Sequence, residues 1–307
     1  MNPMSIAWRR FVLAALIGLA PAWAAAEERL LLPDGTLLVA DTRQFRLFDA
    51  RRGPAQLGSV MTVDRLTAAP NLPLTQQLLS GAFTAAWIGR KAPADTVPAT
   101  QQYTLQRYIH SLASSYETTL ATPVVMRRLA GRLRAQGQPD WAKFCDGVAG
   151  NESGHEDELV LDLNALGIDG PAFLKAVRPP SAIALVAHFN RLVDGEQPVA
   201  ALGYVYALQR SSLLLDKKIT ERIEALIPAG INASRSLRTH GGTGDNARHV
   251  AETEAFISQL PPAARRAVAL AVFETITLMT AGDDYPGDAA VDRLVASFRR
   301  TAPPARP

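Results

Sequence analysis

Residues 139–166, PDWAKFCDGVAGNESGHEDELVLDLNAL, decide how the chain is read. Trp141, Cys145, Val148, Leu159, Leu163 and Leu166 follow the alternating rhythm of three and four that marks the buried stripe of an amphipathic helix. The pattern therefore predicts one long helix over 139–166 packed against others. Two slots in the stripe, 152 and 155, carry Glu152 and His155 instead of apolar residues. A carboxylate and an imidazole placed there cost several kcal/mol unless something inside pairs with them. Gly147, Gly150 and Gly154 flank the pair, although glycine costs about 1 kcal/mol in a helix interior. Small residues there leave room for another helix or a ligand. Two local penalties in one stretch point to a functional site.

The helical pattern extends outward from this stretch. From Thr100 onward it predicts helices near 100–116, 122–136, 181–193, 198–215, 219–240, 246–259, 262–281 and 288–299. Breaks fall at Gly137 to Pro139, Gly167 to Pro171, Pro179-Pro180, Asp194-Gly195, Pro228, Pro261-Pro262 and Pro286-Gly287. Short connections between long amphipathic helices predict an all-α bundle over 99–300. No internal repeat and no low-complexity tract interrupts it.

Residues 27–98 read differently. Leu30 to Leu32, Pro33-Asp34-Gly35, then Thr36 to Val39 predict a hairpin, and Phe45 to Phe48 a further strand. Pro70, Pro73, Pro93 and Pro98 predict mostly loop beyond it, with one helical turn near Leu78. The expectation is a β-containing appendage without readable chemistry. Residues 1–26 read as an export signal: Arg9-Arg10, an apolar run from Phe11 to Ala20, and small-x-small cleavage sites at Ala22-Trp23-Ala24 and Ala24-Ala25-Ala26. Periplasmic or secreted localisation follows as an expectation, and Arg9-Arg10-Phe11 faintly echoes a twin-arginine signal. No later segment reaches about 18 uninterrupted apolar residues, so no stable membrane span is expected after signal removal.

The net charge is +3 over 307 residues, and losing Arg9 and Arg10 brings the mature chain near +1. That balance gives no reason to expect nucleic acid as a partner. Cys145 is the only cysteine, so no intramolecular disulfide forms and the fold must stand on its core. No Gly-x-Ser-x-Gly elbow occurs, and Gly241 to Gly244 lack the strand and lysine of a phosphate-binding loop.

Glu-x-x-His is a spacing that helical bundles use to give one ion an oxygen and a nitrogen ligand. The competing reading of Glu152 and His155 is a buried pair in which each compensates the other. Asp245 and His249 share a face four residues apart, continued by Thr253, Phe256 and Leu260, and are candidates for further ligands. Asp245 reads equally as an N-cap after the glycines. His240 is a candidate too, against a histidine favoured at a helix C-terminus by the dipole. Gln209 points inward in the stripe Leu202, Val205, Gln209, Leu213. Glu117 and Glu274 rank below these, and His110 and His188 read as satisfied core histidines.

Asn151-Glu152-Ser153-Gly154-His155-Glu156 followed by Leu161 to Gly167, together with Gly203-Tyr204-Val205-Tyr206-Ala207-Leu208-Gln209 and the His240, Asp245, His249 cluster, resembles the iron-containing redox enzymes of haem-oxygenase-like fold. The resemblance covers about residues 100–282. It implies a haem-oxygenase-like bundle holding one or two non-haem iron ions through Glu152, His155, Gln209, His240, Asp245 and His249. Two departures matter. The family carboxylate of the third helix is Gln209 here, and Asp245 and His249 follow His240 at wider spacing than the family's.

These readings lead to an iron-dependent oxidase or oxygenase acting on a small organic substrate with O2. The alternative is a non-catalytic bundle that binds a ligand or a protein partner, and a weaker one is a haem protein with a single axial histidine. Self-association as a homodimer is open.

Overall fold

The computed structural model describes residues 26–49, 53–55, 71–89, 103–214, 217–240 and 245–300. The expected signal segment 1–26 lies, save for its last residue, outside the described residues.

Four strands open the chain: β1 (Glu28–Leu31), β2 (Thr36–Ala40), β3 (Phe45–Asp49) and β4 (Gly53–Ala55). They form an antiparallel meander in chain order, with Leu30 opposite Leu38 and Leu38 opposite Leu47. The first turn is built by Asp34, whose Oδ1 accepts from Thr36 N at 2.9 Å, with Gly35 at φ +88°. The second is an Asp41 turn whose carboxylate accepts from the backbone of Arg43 and Gln44 at 2.7 and 2.9 Å.

Twelve α-helices follow among the described residues: α1 (Leu72–Gly89), α2 (Leu105–Ala135), α3 (Pro139–Glu152), α4 (His155–Ala165), α5 (Gly170–Ala176), α6 (Pro180–Asp194), α7 (Leu202–Ser212), α8 (Lys217–Glu224), α9 (Arg235–His240), α10 (Asp245–Ser258), α11 (Pro262–Thr280) and α12 (Asp288–Ser297). A 3-10 turn, Pro198–Ala201, leads into α7. The architecture is an all-α bundle behind a small β segment, as the periodicity predicts.

Besides the helix expected over 219–240, which is split into α8 and α9 by the non-helical residues 225–234, three expectations change. The stretch expected to be loop around Leu78 is the 18-residue helix α1. Pro73 sits in its first turn, where a missing N–H costs nothing. Leu74, Leu78, Leu79 and Ala82 then bury a face against both the sheet and the bundle. The sheet and α1 therefore share the larger apolar core with the bundle. Second, the two helices expected at 100–116 and 122–136 are one, α2, which runs through Pro123. Proline cannot donate, so the carbonyl of Thr119 loses its helical partner without the helix ending. Third, the single helix expected over 139–166 is broken at Ser153-Gly154. Gly154 adopts φ +93°, which an L side chain rarely tolerates, and α4 restarts at His155.

Two apolar clusters fill the molecule. The larger joins the sheet, α1, the C-terminal half of α2, α3, α6, α7, α10 and α11. The smaller joins the N-terminal half of α2 with α4, α5, α8, α9 and α12. Gly203 lets α7 approach α11 closely: a Cβ there would lie 2.2 Å from the Val268 carbonyl oxygen. Because the obstacle is backbone, Gly203→Ala is expected to cost about 1–3 kcal/mol, read as a lower urea midpoint at unchanged slope. Cys145 is fully buried in the larger cluster, and burial pushes its thiol up to about 12.

Candidate functional site

Where the two clusters meet, the helices leave a cavity of about 440 Å³. Tyr108, Leu112, Leu159, Ile223 and Leu237 line it from one cluster, and Val205 and Leu208 from the other. Tyr103 and Ser115 line it and are exposed, so the cavity reaches the surface there. One wall is a run of hydroxyls on α2, Ser111, Ser115, Thr118, Thr119 and Thr122, spaced to share a helix face. Ser212, Ser236 and Asn246 add polar groups from α7, α9 and α10. Glu152 is the one charged residue on the wall among the described residues.

Glu152 closes α3 and His155 opens α4, so the glycine break rather than a helical turn sets their geometry. His155 Nδ1 lies 3.4 Å from Glu152 Oε2, with side-chain exposures of 26% and 14%. Both side chains are half-buried. The Glu152 carboxylate raises the His155 pKa, against the opposing effect of burial. Arg127 donates to Ser153 Oγ at 2.7 Å, and Ser153 donates to the Ala149 carbonyl at 2.7 Å, fixing the break between them.

Glu152 also faces a second, much smaller hollow of about 20 Å³, shared with Gln209 of α7 and with His249, Glu252 and Thr253 of α10. That volume suits one water-sized occupant. Three of the six residues singled out from sequence thus meet here. Thr253 donates to Gln209 Oε1 at 3.2 Å. His249 Nε2 lies 3.2 Å from an Arg248 guanidinium nitrogen. His155 lines neither space. His240 ends α9 and Asp245 starts α10, and their side chains lie outside the described residues. Among the described residues, no three His, Cys, Asp or Glu side chains gather as a metal site requires. Glu152 and His249 meet at the hollow, while the side chains of His240 and Asp245 lie outside the described residues, so the donor set implied by the resemblance is described only in part.

The other polar candidates have structural partners. Arg178 grips Glu117 with two nitrogens at 2.6 and 2.9 Å, stapling α2 to the segment before α6. His110 packs edge-on to Tyr285, with ring centroids 5.6 Å apart. His188 is buried, with Nε2 4.0 Å from Glu274 and Nδ1 3.4 Å from Arg191. Burial, then the Arg191 charge, lowers its pKa to about 4. The folded state thus refuses a proton that the unfolded chain takes up below about 6.5. Stability is expected to fall as pH drops from about 6.5 towards 4. Urea titrations of His188→Gln should show a flatter slope across that window.

Sequence reasoning missed two groups. The α2 hydroxyls were legible as a helical face, at 111, 115, 118 and 122, but small hydroxyls look like neutral surface. Buried Glu254, which accepts from Gln76 at 2.9 Å and Tyr206 at 3.0 Å, gives no local sign of its burial.

No protein family matches the chain, and no curated protein does. Among solved structures it is similar to a TenA homolog from Pseudomonas syringae pv. tomato str. DC3000, at 12% identity and a TM-score of 0.48, covering 79% of this chain and 100% of that one. At that identity nothing of its chemistry transfers. No helix among the described residues is long and apolar enough to cross a membrane.

Proposed function

We propose that this protein binds a small organic molecule in the cavity between its two apolar clusters, outside the cytoplasm. One observation carries the reading: a space of about 440 Å³ opens to the surface, with an apolar wall, a hydroxyl wall and the Glu152 carboxylate. Small-molecule sites have this composition, a mostly apolar lining with a few placed polar groups. The leader reading supports export. Thermal melting of the mature protein across amines, polyols, amino acids and short carboxylates tests it. A ligand at one hundred times its Kd is expected to stabilise by about 2.7 kcal/mol. Ser115→Trp, at the exposed mouth, is expected to abolish that gain while moving unliganded stability by no more than about 0.5 kcal/mol. A panel without a stabilising member, and a Ser115→Trp protein indistinguishable from the parent, would sink the proposal.

A second reading, an iron-dependent oxidase or oxygenase, is favoured by the meeting of Glu152, Gln209 and His249 at one hollow. It needs His240 and Asp245 to complete the donor set. Bound iron would supply the redox chemistry, and the cavity beside it would orient the substrate. Anaerobic titration with ferrous ion decides it. The reading expects stoichiometric binding that Glu152→Ala removes; equal, negligible uptake by parent and variant ends it.

A further inference from the structure

We propose that the cavity is built for an aliphatic amine, a primary di- or polyamine whose N–H groups face the hydroxyl wall and Glu152. The inference rests on the ligand-binding reading above and names its ligand class.

The argument starts from where the hydroxyl protons go. Each Ser, Thr or Tyr hydroxyl has one proton to donate and lone pairs to accept with. Ser111 donates to the Tyr108 carbonyl at 2.7 Å, and Thr118 to the Ser115 carbonyl at 3.0 Å. Thr122 donates to the Thr118 carbonyl at 2.8 Å, and Ser212 to the Gln209 carbonyl at 2.7 Å. Tyr108 donates to the Ala233 carbonyl at 2.8 Å, and Ser236 to Asp162 Oδ2 at 2.7 Å. With those protons committed, the six oxygens can only accept from anything in the cavity, although Ser111 already accepts from Tyr103 at 3.2 Å and Ser212 from Asn246 at 2.9 Å. Glu152 adds a carboxylate.

A wall dominated by acceptors calls for a ligand rich in donors. Among the described residues no lysine, arginine or histidine lines the cavity, so no positive charge there answers a carboxylate or phosphate. A protonated primary amine presents three N–H donors and a positive charge, the complement of that wall. The opposite wall, with Leu112, Val205, Leu208 and Ile223, suits a methylene chain. A sugar would match the polar wall and leave the apolar one unfilled.

Isothermal titration of the mature protein with spermidine, choline, glycerol and adipate tests this. Spermidine is expected to bind. Choline, a cation without N–H donors, is expected to bind at least about tenfold more weakly, since a charge-assisted hydrogen bond is worth roughly 1.5–3 kcal/mol. Glu152→Gln is expected to weaken spermidine by about tenfold or more. Thr122→Val, which keeps the shape and removes a lone-pair donor, is expected to weaken spermidine and leave choline unchanged. Choline binding as well as spermidine, or stronger binding of glycerol or adipate, overturns the amine assignment while leaving a ligand-binding cavity. Silence from all four probes, together with an unaltered Ser115→Trp protein, overturns the amine assignment and the ligand-binding reading together.

Discussion

Glu28→Ala is expected to destabilise the protein by about 3–5 kcal/mol, because it leaves a buried guanidinium without its counter-charge. Glu28 stands at the start of β1 and Arg265 in the first turn of α11, both 5% exposed. Arg265 Nε donates to Glu28 Oε1 at 2.7 Å, and Arg266 approaches Oε2 at 3.4 Å. Arg265 also donates to the Leu260 carbonyl at 2.8 Å, near the end of α10. One ion pair thus joins the meander to two helices near the far end of the chain. Against a typical total of about 5–15 kcal/mol, the loss is a large share of stability. Urea unfolding measures it. The pair Glu28→Met with Arg265→Met should recover part of the loss, since apolar replacement of both ions removes the stranded charge. A Glu28→Ala protein that unfolds with the parent's midpoint would show the pair to be idle.

Asp162→Ala ranks with it, at about 3 kcal/mol or more. The carboxylate is fully buried on α4 and accepts from the backbone of Arg235 and Ser236, both at 3.0 Å. It also accepts from Ser236 Oγ at 2.7 Å. These are the donors that the start of α9 leaves open, so Asp162 caps that short helix from another element. Removing it strands the buried Ser236 N–H and the part-buried Arg235 N–H, at about 1–3 kcal/mol for a buried donor. Because Ser236 and Leu237 form part of the cavity wall, ligand affinity should fall as well. Unchanged stability with intact ligand binding would refute the capping role.

Much of the bundle was legible because its helices carry their own punctuation. Pro180 and Pro262 stand in the first turns of α6 and α11, and Gly287 precedes α12. What escaped were residues whose effect depends on position within an element. Pro73 and Pro123 look alike in sequence, yet one starts a helix and the other lies inside one held by packing on both sides. Gly154 sits in an unbroken apolar rhythm, and only its positive φ shows that the rhythm spans two helices. At the site, the unusual placement of Glu152 was visible as an interruption of a stripe. The cavity beside it was not, because an empty space arises from how separate helices fail to touch. No periodicity within one helix encodes that.

The lone thiol of Cys145 has a practical consequence. It lies at 0% exposure with its ionisation pushed up to about 12. Thiolate, the reactive species, is therefore scarce, and reagents are shut out, until the core comes apart. With one such atom in the chain, the rate at which a dye marks it serves as a stopwatch for opening of the molecule. In an oxidising compartment the same atom can form no disulfide within its own chain, so disulfide-linked pairs of chains would be a record of past unfolding.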